Sequence, residues 1–216
     1  GIPVGRRKRR RVQCRRIHGE ESGTAPEKGG MNMGLFDRLY SAASAEVPAK
    51  KSIAGLRVER FSFAALPESL EEMRALPEAD LVDPFKTAAL TVCALCAYAA
   101  DRGVGTEMLN WLKEPYPLTG QDIAQLDNGL RDGREYVPFS YFAGAVPENG
   151  YIPGRPFTVS VCSDHNSGAE QGYMRLLVLS GGSDTPRPVK LRMRGDGRWF
   201  LWEQRLLPDI IADVCK

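Results

Sequence analysis

Histidine is scarce in this sequence, with two in 216 residues, His18 and His165. Histidine is the side chain best suited to moving protons near neutral pH. Imidazole catalysis in the folded body would therefore depend wholly on His165. The chain also lacks an apolar stretch long enough to cross a bilayer. Its longest, Ala88–Ala100, covers 13 residues and is interrupted by Thr91, whereas a spanning helix needs about 20. That run reads as a buried core helix, and no membrane partner is expected. Cysteines number five. No apolar segment follows the basic N-terminal run, so that run lacks the pattern of a secretory signal. An odd set of thiols without an export signal predicts free cysteines in a reducing, cytoplasmic setting.

What is present suits a folded domain. Hydrophobic residues make up 43% of the chain and charged residues 26%. That is enough apolar material for a core without a disulfide or metal staple. The net charge of +2 is unevenly spread. Residues 1–30 hold nine Lys or Arg and three acids, so this tail carries +6 and the remainder −4. A mildly acidic body does not attract nucleic acid by its long-range field.

The tail, residues 1–32, has few apolar residues and reads as disordered. Its run Arg6–Arg11 matches a nuclear-localisation or nucleic-acid patch. The plainer reading is an over-called start, because the folding pattern begins at Met33-Gly-Leu-Phe-Asp-Arg-Leu. Residues 33–216 are then expected to form one α+β domain. Helices over 33–135 come first, followed by a connecting loop over 136–156. An antiparallel sheet of about four strands over 157–216 closes the chain.

Within the helical part, Leu35–Val47 carries apolar residues at helical spacing. Leu56–Leu66 mixes polar and apolar residues in a way that hints at an irregular strand. Pro67–Leu76 reads as a short helix opened by Pro67. Asp83-Pro84-Phe85 is a cap followed by a first-turn proline, so the central helix should start there and run to Asp101. Thr106–Lys113 and a helix capped by Thr119 follow, with Asp122 as a capping-box partner.

Strands are expected at Phe157–Cys162, Tyr173–Leu179, Val189–Arg194 and Trp199–Glu203, with a terminal helix over Leu206–Val214. Asp196-Gly197 suits a two-residue turn. That turn pairs Arg194 with Trp199 and Lys190 with Glu203. It puts Val189, Leu191, Met193, Phe200 and Trp202 on the inner face. Lys190, Arg192, Arg194, Trp199, Leu201 and Glu203 fall on the outer one.

Three segments carry a family resemblance. They are Phe85-Lys-Thr-Ala-Ala-Leu-Thr-Val-Cys-Ala-Leu-Cys, Val137-Pro-Phe-Ser-Tyr-Phe-Ala-Gly-Ala, and Ser180-Gly-Gly-Ser-Asp together with Arg187-Pro-Val-Lys-Leu-Arg and Trp199-Phe-Leu-Trp-Glu-Gln. Together they resemble an uncharacterised bacterial family, a domain of unknown function common in gut Clostridia and their relatives. The likeness runs from about Leu81 to Ile210, and Ser163–Gly172 departs from the pattern. It implies a bacterial cytoplasmic protein with a tail foreign to it. It supplies no activity and no catalytic residue.

Each chemical candidate has a plainer counterpart. Cys93 and Cys96 form Cys-x-x-Cys, but mid-helix among apolar neighbours they read as small core residues. Cys162 and His165 have tolerable metal spacing without a second pair to complete a site. Ser163, Asp164 and His165 are adjacent, and a triad needs its members to approach from different directions. Ser180-Gly-Gly-Ser-Asp lacks the helix and Lys of a phosphate loop. Glu59, Glu71, Glu72 and Asp80 read as a solvated cluster. No catalytic residue, metal site or cofactor is assigned.

Two surfaces remain. Phe139, Tyr141, Phe142 and Trp199 could line a ligand groove or protein interface, or close the core instead. Arg187, Lys190, Arg192, Arg194 and Arg198 make a basic face beside Trp199 that suits a polyanion, or pairs internally. The expectation is a non-enzymatic binding or protein-interaction module. The alternatives are an enzyme with a pocket between helices and sheet, and polyanion binding by the last hairpin. A protein partner is favoured over nucleic acid.

Overall fold

The central helix begins where the sequence places it. The Asp83 side chain accepts from Phe85 N–H at 2.9 Å, Pro84 occupies the first turn, and α2 runs Pro84–Ala100. These features appear in a computed structural model that describes residues 57–214. The tail, the Leu35–Val47 helix, Cys14, His18 and Cys215 lie outside the described residues.

Asp101 ends α2 and caps the next helix, accepting from Gly103 and Val104 N–H. Helix α3 (Arg102–Leu112) therefore starts earlier than Thr106. Before α2 stands a short helix α1 (Leu70–Ala75), capped by Ser69 rather than opened by Pro67. After α3, Thr119 and Asp122 form the expected capping box at the head of α4 (Gly120–Leu130). The segments Pro77–Asp80, Val137–Tyr141 and Pro147–Asn149 are single turns of 3₁₀ helix.

The sheet has five strands, not four. The irregular segment after Leu56 is a full strand, β1 (Arg57–Phe63), which precedes the helices. The remaining strands follow the helices: β2 (Phe157–Ser163), β3 (Tyr173–Val178), β4 (Arg187–Met193) and β5 (Trp199–Gln204). All pair antiparallel in chain order β1-β2-β3-β4-β5. The fold is α+β, with α2 laid against one face of a meander.

Helix α2 is buried on nearly every side. Leu90, Val92, Cys93, Leu95, Cys96 and Ala97 are wholly inaccessible, and the helix touches all five strands. Fully burying a side chain such as Leu contributes about 1.5–3 kcal/mol, so this helix is the main source of hydrophobic stabilisation. None of the helices is long and apolar enough to cross a membrane among the described residues.

Two features of the C-terminal third differ from the sequence reading. The last hairpin turns through three residues, Gly195-Asp196-Gly197. Arg194 N–H donates to Arg198 O at 2.8 Å, and Gly197 sits at φ +82°. Left-handed backbone of this kind is easy for glycine and costly for other residues. Met193 therefore pairs with Trp199, Arg192 with Phe200 and Leu191 with Leu201, while Lys190 still pairs with Glu203. The one-residue mismatch is absorbed by a bulge at Trp202.

The second difference is that no helix covers Leu206–Val214. That stretch is an irregular strap with a turn at Pro208–Asp209, tied down by side chains. The Tyr141 hydroxyl donates to Leu206 O, and Tyr151 Oη donates to Ile211 O at 2.6 Å. Ile211 N–H donates to Gly182 O at 2.9 Å. These bonds occupy backbone groups that a helix would need, and Pro208 supplies no N–H.

Candidate functional site

The expected aromatic surface is interior. Phe139, Tyr141 and Phe142 are at most 2% exposed and close the core beneath the strap. Burial is the physical reason: the 3₁₀ turn Val137–Tyr141 packs against α2, and Phe142 follows it to bridge Val159 at the side of β2. Trp199 does not stand on the outer face either. Its N–H donates to Leu81 O at 2.7 Å, its carbonyl accepts from Thr87 Oγ1 at 3.2 Å, and its ring packs half-buried on the core.

The three-residue turn shifts the register so that Trp202 points outward, the reverse of its predicted side, at 40% exposure. There it meets Tyr173 from β3 at 5.7 Å between ring centroids, and Tyr116 from the loop after α3 at 6.2 Å. The Arg192 guanidinium lies over both rings, 4.5 Å from Tyr116 and 5.2 Å from Trp202. Met193, also expected inside, is 46% exposed.

The basic face is largely neutralised. Arg187 reaches Asp209 at 2.8 Å, Lys190 reaches Glu170 at 2.6 Å, and Arg198 reaches Asp196 at 2.8 Å. Arg194 lies 3.9 Å from Asp196 and over the Phe200 ring rather than Trp199. Arg192 alone of the five has no carboxylate within 4.0 Å among the described residues. Lys190 and Glu203 are cross-strand neighbours, but Glu203 bonds Arg205 at 2.8 Å.

The other candidates are accounted for locally. Cys93, Cys96 and Cys162 are free, buried thiols, and burial pushes all three pKa values up. His165 Nε2 lies 3.0 Å from Asn166 Nδ2 on an exposed turn, and Asp164 accepts from Asn166 N–H. The Ser180-Gly-Gly loop is a docking contact. Ser180 Oγ donates to Ser140 O at 3.2 Å, and Gly181 N–H donates to the same carbonyl at 2.7 Å. Lys86 holds Asp80 at 2.7 Å, and Glu72 caps α1.

Beside Trp202 lies a groove of about 560 Å³ between α3, α4, β5 and the strap. Leu109, Leu118, Leu126, Leu201 and Leu207 give it an apolar floor, and Trp202 forms part of its wall. Lys113, Asp122, Arg134, Glu203 and Arg205 supply its charges. Both acids are already engaged. Asp122 accepts from Thr119 N–H at 2.8 Å and Oγ1 at 2.9 Å. Burial pushes the Asp122 carboxyl up, but these bonds outweigh it and hold it below its ordinary value. Lys113 Nζ donates to Trp202 O at 3.0 Å, which ties the end of α3 to the bulge.

Arg134 follows two left-handed residues, Asp132 at φ 61° and Gly133 at φ 75°, which turn the chain back after α4. Its Nη2 donates to Leu207 O at 3.4 Å, and its Nε is buried without a hydrogen-bond partner among the described residues. Sequence reasoning missed Arg134, Lys113, Tyr116 and the outward Trp202. The only hint was the Asp-Gly pair before Arg134, a turn signature that says the next side chain changes direction.

Residues 65–214 match the model of a family described as a domain of unknown function (DUF6935). No curated protein and no solved structure gives a significant match.

Proposed function

The chain belongs to this family of unknown function, DUF6935, and for it we propose a non-enzymatic binding module that takes its ligand in the groove beside Trp202. The observation that carries the proposal is the groove itself. Its volume of about 560 Å³ falls within the roughly 300–1,000 Å³ typical of ligand sites. Its leucines form an apolar floor, and polar side chains make up about half of the lining. Its wall includes Trp202, which Tyr116 and Arg192 contact from outside the groove; Trp is among the residue types that most often dominate binding energy.

Binding is favoured over catalysis by what the groove's acids are doing. Asp122 is spent on a helix cap and Glu203 on Arg205. Asp122 is moreover held below its ordinary pKa, whereas a general acid needs a raised one. Polyanion binding gains little support, since four of the five basic residues on the last hairpin have a carboxylate within 4.0 Å. A bacterial, cytoplasmic setting forms part of this reading and draws support from the free thiols at Cys93, Cys96 and Cys162.

The test is a fragment titration of the full chain followed by backbone amide NMR. Shifts should gather at Leu118, Asn128 and Leu201–Leu207, with the Trp202 indole among them. Shifts gathered instead at Ser163–Gly172, or a library that moves no groove resonance, would reject the reading.

A further inference from the structure

We infer that the groove ligand is a small organic monocarboxylate, its carboxylate held by Arg134 and its apolar body laid over Leu109, Leu126 and Leu201. This rests on the groove reading above and names the chemistry of its occupant.

The argument begins with which charges in the groove have partners. Asp122 and Glu203 are satisfied, so the groove offers little to a cationic ligand. Arg205 is taken by Glu203, and Lys113 is turned to the Trp202 carbonyl. Arg134 differs. No carboxylate lies within 4.0 Å of it among the described residues, its one bond is a long 3.4 Å to Leu207 O, and its Nε–H has no acceptor. A buried donor left unmet is destabilising. A half-buried guanidinium beside leucines, with one N–H unmet, calls for an anion.

The geometry narrows the anion. Arginine presents a planar fork that matches a carboxylate through paired N–H groups. One guanidinium balances one negative charge. A phosphate dianion would need a second cation, and the two nearest in the groove are engaged. The floor of Leu109, Leu126, Leu201 and Leu207 then suits an apolar body. The small groove volume suits a metabolite-sized molecule more than a long chain.

The experiment uses the full chain with hexanoate, 3-phenylpropanoate and indole-3-acetate, each beside its uncharged amide. Dissociation constants come from amide shifts of groove residues. Charged hydrogen bonds make the carboxylates bind at least about tenfold tighter than the amides. Arg134→Gln, checked for an unchanged circular dichroism spectrum, brings that ratio close to one, while Arg134→Lys retains part of it.

Equal binding of acids and amides to the unaltered chain overturns the carboxylate assignment and leaves the groove reading standing. Phenyl phosphate binding tenfold tighter than 3-phenylpropanoate also overturns it. If none of the six probes moves a groove resonance, both readings fall together.

Discussion

The Arg192 guanidinium lies over the Trp202 ring, 5.2 Å from its centroid, on the outer side of the last hairpin. Cross-strand pairing does not make this contact, because Arg192 pairs with Phe200. The three-residue turn makes it, by putting Leu201 inward and the next residue, Trp202, outward towards Tyr173 and Tyr116. A half-exposed cation–π contact contributes about 0.5–1 kcal/mol. Arg192→Ala should therefore lower unfolding stability in urea by that amount. It should also red-shift the indole emission as water reaches the ring. An unchanged spectrum would contradict the stacking.

The strap depends on tyrosine hydroxyls. Tyr141 is buried and its hydroxyl donates to Leu206 O. Tyr141→Phe leaves that carbonyl without its partner and should cost about 1–3 kcal/mol. Tyr116→Phe is the comparison. Tyr116 is 56% exposed, and its change should stay within about 0.5 kcal/mol. Equal effects in chemical denaturation would show that the strap bond carries no weight.

Gly181 and Gly120 make an opposed pair. A Cβ on Gly181 would sit 1.7 Å from Ala145 O, while one on Gly120 meets nothing within 4 Å. Backbone cannot yield cheaply, so Gly181→Ala should destabilise by about 3 kcal/mol or more. Gly120→Ala, in the first turn of α4, should stabilise by up to about 1 kcal/mol through the unfolded chain. Melting temperatures moving in the same direction would refute this account of the Ser180–Gly182 loop.

Asp127 gives a pH signature. Arg102 and the Tyr98 hydroxyl bond its carboxylate, and the Arg102 bonds in particular bring it from 3.8 to about 2. A folded-state pKa below the unfolded one stabilises above the unfolded value and loses that contribution as pH falls through the folded one. The melting-temperature gap between the unaltered chain and Asp127→Asn should therefore be constant above pH 5. It should shrink between about pH 4 and pH 2. The Asp127 side chain is 39% exposed, so added salt should narrow the gap. A gap that stays fixed down to pH 2 would contradict the network.

Much of the scaffold was legible because local chemistry decided it. Asp83-Pro84 starts α2, Thr119 with Asp122 starts α4, and alternation marks β2 to β5. The site was not legible, for two physical reasons. Alternation counts residues in twos and cannot foresee a bulge, so Trp202 was assigned to the wrong side once the turn took three residues. The strap reads as helical because Leu206, Leu207, Ile210 and Ile211 recur at helical spacing. What holds it out of a helix is tyrosine hydroxyls from residues 141 and 151, far away in sequence. The aromatic loop posed the opposite problem. Composition marked Phe139, Tyr141 and Phe142 as notable, and only tertiary packing decides between surface and core.

The central claim is that ligands settle between α3, α4, β5 and the strap. Crystals of the full chain soaked with a diverse set of apolar and acidic fragments test it most directly. The account predicts fragment density clustered between Leu118, Arg134 and Trp202, with acidic groups turned towards Arg134. Fragments clustered on another face, or a groove closed by Leu201 and Trp202 in every crystal, would contradict it.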